Sequence, residues 1–377
     1  MTYLDYSATT PVNDEVLNTF NFVTKKYMGN PNSLHKLGVE AKNVINASTL
    51  QIAKLLNIKE NEIIYTSGAS EANNTVIKGI AYEYKNRGKR IISTRLEHSS
   101  IYGPLKQLEL EGFKVDYVKT NNGIVDLNDL EKLMDDDVIL VSICTVNSET
   151  GLLEPIDEIG KLLKKYPKCF FHTDMTQALG KVKIDLKNVD LASFSAHKIY
   201  GLDGIGLLYK KENIHISPLI SGGKSTTIYR SGTPCVGLIA SLSKAIRLSL
   251  ESLDKRYEYV SNLNNILKKE LSKLDITINS NEFCIPHILN ISINPVKPET
   301  MLHALEAFDI YISTKTACST SLESTSVFEL THDQILSRYS LRISLSYLTK
   351  MEEINYFIEK FSECLNELRG VSNGKNR

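Results

Sequence analysis

The chain has 377 residues, 42% hydrophobic and 23% charged, with 20 Gly and 10 Pro. These are globular proportions, which exclude a collagen-like, coiled-coil or mostly disordered chain and leave room for two or three domains. Lys plus Arg and Asp plus Glu are 44 each, a formal net charge of zero, which argues against a protein that binds nucleic acid directly through a basic excess.

The first residues, MTYLDYSATT, carry neither a basic nor an apolar leader region, so no signal peptide is expected. No run of 18 apolar residues occurs, so no membrane span is expected. The six cysteines, at 144, 169, 235, 284, 318 and 364, form no C-x-x-C pair. We therefore expect reduced thiols in a cytoplasmic protein and no metal site.

From about 35 to 250 the chain alternates between short β-rich runs and helix-period stretches. The runs predict strands at 62–66, 90–94, 114–118, 138–143, 169–173, 190–195 and 206–209. Helices are predicted at 35–56, 71–84, 99–111, 127–134 and 156–165. Continuous apolar runs such as VILVSI read as strands buried on both faces, which points to an α/β fold with a mostly parallel sheet. After Gly232 the texture changes. One long helical stretch is predicted over 236–274. Short strands at 288–293, 311–313 and 341–344 then alternate with helices at 300–308 and 351–368, a smaller α+β unit. The polar tail 370–377 is expected to fray.

Three segments, each at the end of a predicted strand, carry candidate chemistry. Thr66-Ser67-Gly68-Ala69-Ser70 is a small-residue turn opening a helix, where free N–H groups and the helix dipole favour an anion. An ordinary capped turn reads the same way. Asp174 ends a buried strand, where a carboxylate needs a cationic partner, or serves as a helix cap. Lys198 follows an apolar strand and precedes a Gly-rich turn, a position where desolvation can make an amine reactive, though most lysines are simply solvated. Together they supply a phosphate cradle, a partner for a pyridinium nitrogen and a covalently binding amine, the set that pyridoxal phosphate requires. A fourth segment, 313–321, places Cys318 among Ser and Thr residues that cannot form a core, so an accessible thiol is expected there.

The chain resembles the cysteine desulfurases of the NifS/IscS type, within the class V aminotransferase family of fold-type I pyridoxal phosphate enzymes. The resemblance rests on ordered segments from Tyr3 to about Ile354: YLDYSATTPV at 3–12, GNPNSLHKLG at 29–38, YTSGASEANN at 65–74, EHSS at 97–100, ETGLLEPIDEIG at 149–160, FHTDMTQALGK at 171–181, SFSAHKIYG at 193–201, RSGT at 230–233, TACSTSLE at 316–323 and LRISL at 341–345. It implies a large cofactor-binding domain over 13–250 with a seven-stranded sheet. It also implies a small domain from 1–12 and 251–377, carrying a catalytic cysteine loop at about 313–338.

By the same resemblance, Lys198 holds the cofactor and moves protons, Asp174 pairs with its ring nitrogen, and His98 stacks on the ring and shuttles protons. Gln177 reaches the phenolic oxygen. Ala69, Ser70, Ser195 and His197 hold the phosphate, and Thr233 reaches it across a homodimer interface. Asn147 and Ser148 lie near cofactor and substrate, Arg342 clamps the substrate carboxylate, and Cys318 takes the sulfur as a persulfide. The implied substrate is L-cysteine. The implied acceptor is a second protein, an iron–sulfur scaffold or a tRNA-thiolation sulfurtransferase. Alternatives are a selenocysteine lyase or other enzyme of this family, or a paralogue acting as a binding subunit.

Several positions depart from the family pattern. Ser148 replaces an asparagine, Asp203 a lysine, and Lys315-Thr316 a Gly-Ser pair. An arginine is missing from 225–228, and Ser346 stands where a glycine is expected. These departures bear on rate, substrate preference and partner choice, since the residues assigned to covalent chemistry are all present.

Overall fold

In the computed structural model, residues 1–314 and 323–374 are described; Cys318 lies outside them. Seven strands form the main sheet: Ile63–Thr66, Arg90–Ser93, Lys114–Tyr117, Val138–Ser142, Phe170–Asp174, Leu191–Ser195 and Gly206–Lys210. Numbered in that order they lie 1-7-6-5-4-2-3 across the sheet. The seventh runs antiparallel to both neighbours, and the other pairings are parallel. Alternate residues enter two cores on opposite faces. Tyr65, Ile92, Val141 and Leu207 enter one, while Ile64, Ile91, Leu140 and Leu208 enter the other. That two-sided burial is why these strands read as unbroken apolar runs.

Helices predicted in the alternating region fall at Lys36–Leu56, Ala69–Tyr84, Ser99–Leu110, Leu127–Leu133 and Ile156–Leu163. A further helix, Asp14–Lys26, precedes them. Asn13 caps it by accepting from Glu15 N, acidic residues open it and Lys25 and Lys26 close it. It packs with Lys36–Leu56 against the helix Val236–Glu251. The approach is close: a Cβ on Gly237 would lie 2.2 Å from Thr24 Oγ1.

The single helix predicted over 236–274 is two, Val236–Glu251 and Leu253–Leu271, broken at Ser252. The first buries Ile239, Leu242 and Ile246 in the main core. The second buries Val260, Leu263 and Leu267 in a separate core with Leu4, Ile291, Ile343 and Phe357. Two targets in different directions require the break. The second core covers an antiparallel sheet of Thr277–Ile278, Ile288–Ser292 and Ser340–Ser344. The N-terminal strand Thr2–Tyr3 pairs in parallel with Ile310–Tyr311, and Asp5 bridges to Ser344.

Within the expected loop 313–338, the described part contains two short helices, Thr325–Thr331 and Gln334–Arg338. Ser324 and Asp333 cap them, a signal the loop reading passed over. The last helix runs Met351–Gly374, further than the expected fraying point. No helix among the described residues is long and apolar enough to cross a membrane.

Candidate active site

Sheet register brings the key segments to one edge. Thr66, Gly206 and Ser195 lie abreast on three neighbouring strands, and Asp174 pairs with Ser193 on the next. Gly206 is essential to this edge, because a Cβ there would lie 2.6 Å from Gly68 Cα. The turn before the helix Ala69–Tyr84 therefore rests directly on the strand backbone. A cavity of about 480 Å³ opens above the edge. It is lined by Ala69, Ser70, His98, Ser148, Asp174, Gln177, Ser195, His197, Lys198 and Arg342, together with Asp5, Ser7 and Asp203.

Lys198 sits in a single 3-10 turn, Ala196–Lys198, that continues the strand Leu191–Ser195. Its Nζ donates to Ser7 O and, at 2.5 Å, to Ala8 O. Asp174 is buried. Its Oδ2 accepts from Asn73 Nδ2 at 2.8 Å and its Oδ1 from Thr176 N at 2.9 Å. His98 caps the helix Ser99–Leu110, and its Nδ1 lies 2.8 Å from Ser100 Oγ and 3.2 Å from Ser100 N. Burial lowers its pKa, and Lys198 adds to that against the pull of Asp174.

Gln177 Nε2 donates to Ser7 O at 2.9 Å, and its Oε1 accepts from Lys181 Nζ at 2.6 Å. Lys181 is buried. Burial, with the charges of Lys198 and Arg342 behind it, brings its pKa down to about 7. His197 Nδ1 is 3.2 Å from Thr9 Oγ1 and 3.7 Å from Asp203 Oδ1. Burial and Lys198 push its pKa down to about 4, against Asp203. The departure at Asp203 thus places an anion on His197 at the cavity wall. Glu71, at the same helix start, is pushed up by burial, but hydrogen bonds from Arg230 and Ser67 outweigh that and hold its pKa low.

Arg342 is almost completely buried. Its Nη2 donates to Asp5 Oδ1 at 2.7 Å and its Nη1 to Ser148 O at 3.0 Å, while Nε has no hydrogen-bond partner among the described residues.

One expected position differs. Asn147 is not on the cavity. Its Nδ2 donates to Leu96 O and Ser326 Oγ, and its Oδ1 accepts from Glu149 N, Thr150 N and Thr150 Oγ1. All its polar capacity is used to hold the turn into the 149–160 segment, so it has no donor for a substrate. Thr233 is exposed and lines a neighbouring depression that shares Ser67 and Gly204 with the cavity. The expectation for Cys318 falls outside the described residues, although Ser313, just before that segment, lines the cavity. Reasoning from sequence missed Asp5, Ser7, Asn73, Ser100, Thr176 and Lys181. All six lie inside matched segments, which was the available signal.

The set fits pyridoxal phosphate. An amine, a buried carboxylate and a helix start converge on one cavity, and Ser7 Oγ and Thr176 Oγ1, from residues of its wall, are buried without hydrogen-bond partners among the described residues. Unmatched buried hydroxyls on a cavity wall mark places where a bound group completes the hydrogen bonding.

Comparison with known proteins agrees. The family model "Aminotransferase class-V" matches residues 2–357. The chain is 38% identical to a cysteine desulfurase IscS of Dictyoglomus turgidum, over 98% of this chain and 96% of that protein. A solved NifS-like protein superposes with a TM-score of 0.93 at 34% identity, covering 97% of this chain and 100% of the other. The structure of SspA in complex with cysteine superposes with a TM-score of 0.81 at 28% identity, over 93% of this chain and 100% of the other. The chain belongs to the class V aminotransferase family of pyridoxal phosphate enzymes, among relatives of the NifS/IscS type.

Proposed function

We propose that this protein is a cysteine desulfurase that converts L-cysteine to L-alanine, holds the released sulfur as a persulfide on Cys318 and passes it to an acceptor protein. The observation that carries this reading is the convergence of Lys198, Asp174, His98 and Arg342 on one cavity whose wall includes Ser313. Pyridoxal phosphate, when bound, supplies an electron sink for negative charge developing at the substrate α-carbon.

The chain's own residues do the rest. Ser7 O and Ala8 O present the Lys198 amine to the cavity. Asn73 and Thr176 N hold the Asp174 carboxylate in place, so that its charge keeps a proton on a ring nitrogen set against it. The N–H groups at the start of the helix Ala69–Tyr84, with Ser195 and His197, hold a phosphate. Arg342 orients the substrate carboxylate.

The Cys318 thiolate then attacks the substrate sulfur. The S–S bond forms and the substrate Cβ–S bond breaks. Its electron pair stays with carbon, which later takes a proton to become the alanine methyl group. The acceptor is an iron–sulfur scaffold or a tRNA-thiolation sulfurtransferase, and trapping the persulfide form before pull-down tells them apart.

Cys318→Ala tests the central role. It should still bind pyridoxal phosphate, with at most residual alanine formation and no protein-bound sulfur after cysteine is added. Sulfur release at the wild-type rate would remove Cys318 from the mechanism.

We further propose a homodimer in which Thr233 completes the partner's phosphate site. Mixing Lys198→Ala with Thr233→Ala subunits should then regenerate one intact site per mixed dimer. No recovery of activity, or a fully active monomer, would overturn it.

A further inference from the structure

Asn73 and Ser100 connect two groups that the reaction uses and that do not touch each other. Asn73 is fully buried in the helix Ala69–Tyr84. Its Nδ2 donates to Asp174 Oδ2 at 2.8 Å and to Ser100 Oγ at 2.9 Å. The opposite amide orientation would set Oδ1 against a carboxylate oxygen, so the buried anion fixes which way the amide faces. Both amide hydrogens are then committed.

Ser100 Oγ accepts one of them and has a single hydrogen to give. His98 Nδ1, 2.8 Å away, is the acceptor in line for it. The backbone N–H of Ser100 points at the same nitrogen from 3.2 Å. That fixed backbone donor leaves no room for a proton on Nδ1, so the Ser100 hydroxyl turns its hydrogen toward the same nitrogen. Burial and Lys198 favour the neutral ring, and a neutral ring must then carry its proton on Nε2.

We infer that Asn73 and Ser100 are positioning residues that set the proton of His98 on Nε2, with the Asp174 carboxylate as the fixed end of the relay. The consequence deepens the desulfurase reading and rests on it. Neutral His98 is poised to give a proton from Nε2, not to take one there, which leaves proton removal from the substrate to another base. Asp174 thereby sets the polarity of two groups at once, through the ring nitrogen it faces and through the imidazole it reaches by way of two side chains.

The test reads the tautomer directly. Holoenzyme with ring-¹⁵N-labelled histidine is examined by long-range ¹H–¹⁵N correlation, with the His98 signals assigned by their loss in His98→Asn. Wild type should show Nε2–H. Ser100→Ala removes the hydroxyl donor, and Asn73→Ala releases Ser100 Oγ to accept. Each should let a measurable Nδ1–H population appear and lower kcat about tenfold or more, with KM changed less than about twofold. Ser100→Thr should restore the wild-type pattern. If Asn73→Ala does not fold, the Ser100 pair decides. An Nδ1–H ring in wild type, or a tautomer unchanged in Ser100→Ala, overturns the inference. Failure of the activity reading is seen separately, as protein that binds no cofactor or forms no alanine whatever its His98 tautomer.

Discussion

Arg342 and Asp5 lie 337 residues apart in the chain and form a 2.7 Å ion pair at the cavity wall. The arginine is 3% exposed and the aspartate 20%, so the guanidinium expected to clamp a substrate carboxylate already holds one from its own chain. An incoming carboxylate must share Arg342 with Asp5 or displace it.

Asp5→Asn should therefore tighten substrate binding while weakening the ligand-free protein. KM for cysteine should fall by roughly two- to tenfold, and the melting temperature without ligand should drop because a buried cation loses its counter-charge, a change on the order of 1–3 kcal/mol. Steady-state kinetics and calorimetry check both. A raised KM would mean that Asp5 helps hold the substrate.

Gly206→Ala should damage the cofactor site without touching a polar group. Its new Cβ would sit 2.6 Å from Gly68 Cα, and a backbone contact cannot rotate away as a side chain would. The 67–70 turn must shift, with about 1–3 kcal/mol lost in stability and at least roughly tenfold weaker pyridoxal phosphate binding, about 1.4 kcal/mol. Equilibrium titration by cofactor absorbance measures this. Unchanged affinity would show that the turn does not carry the phosphate.

Glu97 and Glu154 are deeply buried, each with one carboxyl oxygen lacking a hydrogen-bond partner among the described residues. Burial pushes both pKa values from 4.5 up to about 8, with the charge of Asp174 adding to the rise at Glu97 and that of Glu97 to the rise at Glu154. Between pH 4.5 and 8 the folded state binds protons that the unfolded state has released, so this contribution to stability is lost as pH rises. Glu154→Gln stays neutral throughout. Its melting temperature relative to wild type should climb from pH 5 to pH 9, and parallel curves would show that Glu154 is ionised in the fold.

Lys181 gives the opposite slope. With a folded pKa of about 7 against 10.5 unfolded, the unfolded chain holds the extra proton across that window, and stability rises with pH. Lys181→Met should abolish the rise between pH 7 and 10, as read from urea unfolding at fixed pH values. A rise retained in the variant would assign it to other groups.

Most of the main sheet was legible from sequence because its strands are buried on both faces. Runs such as Val138–Ser142 therefore leave only a residue of doubt at each end. Asp174 and Lys198 stood out for the same reason, since Asp174 closes such a run and Lys198 comes three residues after one. The break at Ser252 was not, because apolar spacing alone does not say that two halves of a stretch face different cores. Asn147 was placed near the substrate by resemblance alone, and its three hydrogen bonds at Oδ1 show that it is spent on holding a turn. The roles of Asn73 and Ser100 depend on distances between separate βα units, which no local pattern contains.

The amine of Lys198 rests on carbonyls of residues 7 and 8, and the segment bearing them is tied down by the strand Ser340–Ser344 near the opposite end of the chain. During translation the amino-terminal segment leaves the ribosome first, yet its strand partner Ile310–Tyr311 and the bridge from Asp5 to Ser344 follow more than 300 residues later. A nascent chain can therefore assemble the main sheet early, but the tether on the segment that seats the Lys198 amine closes only when synthesis is almost finished.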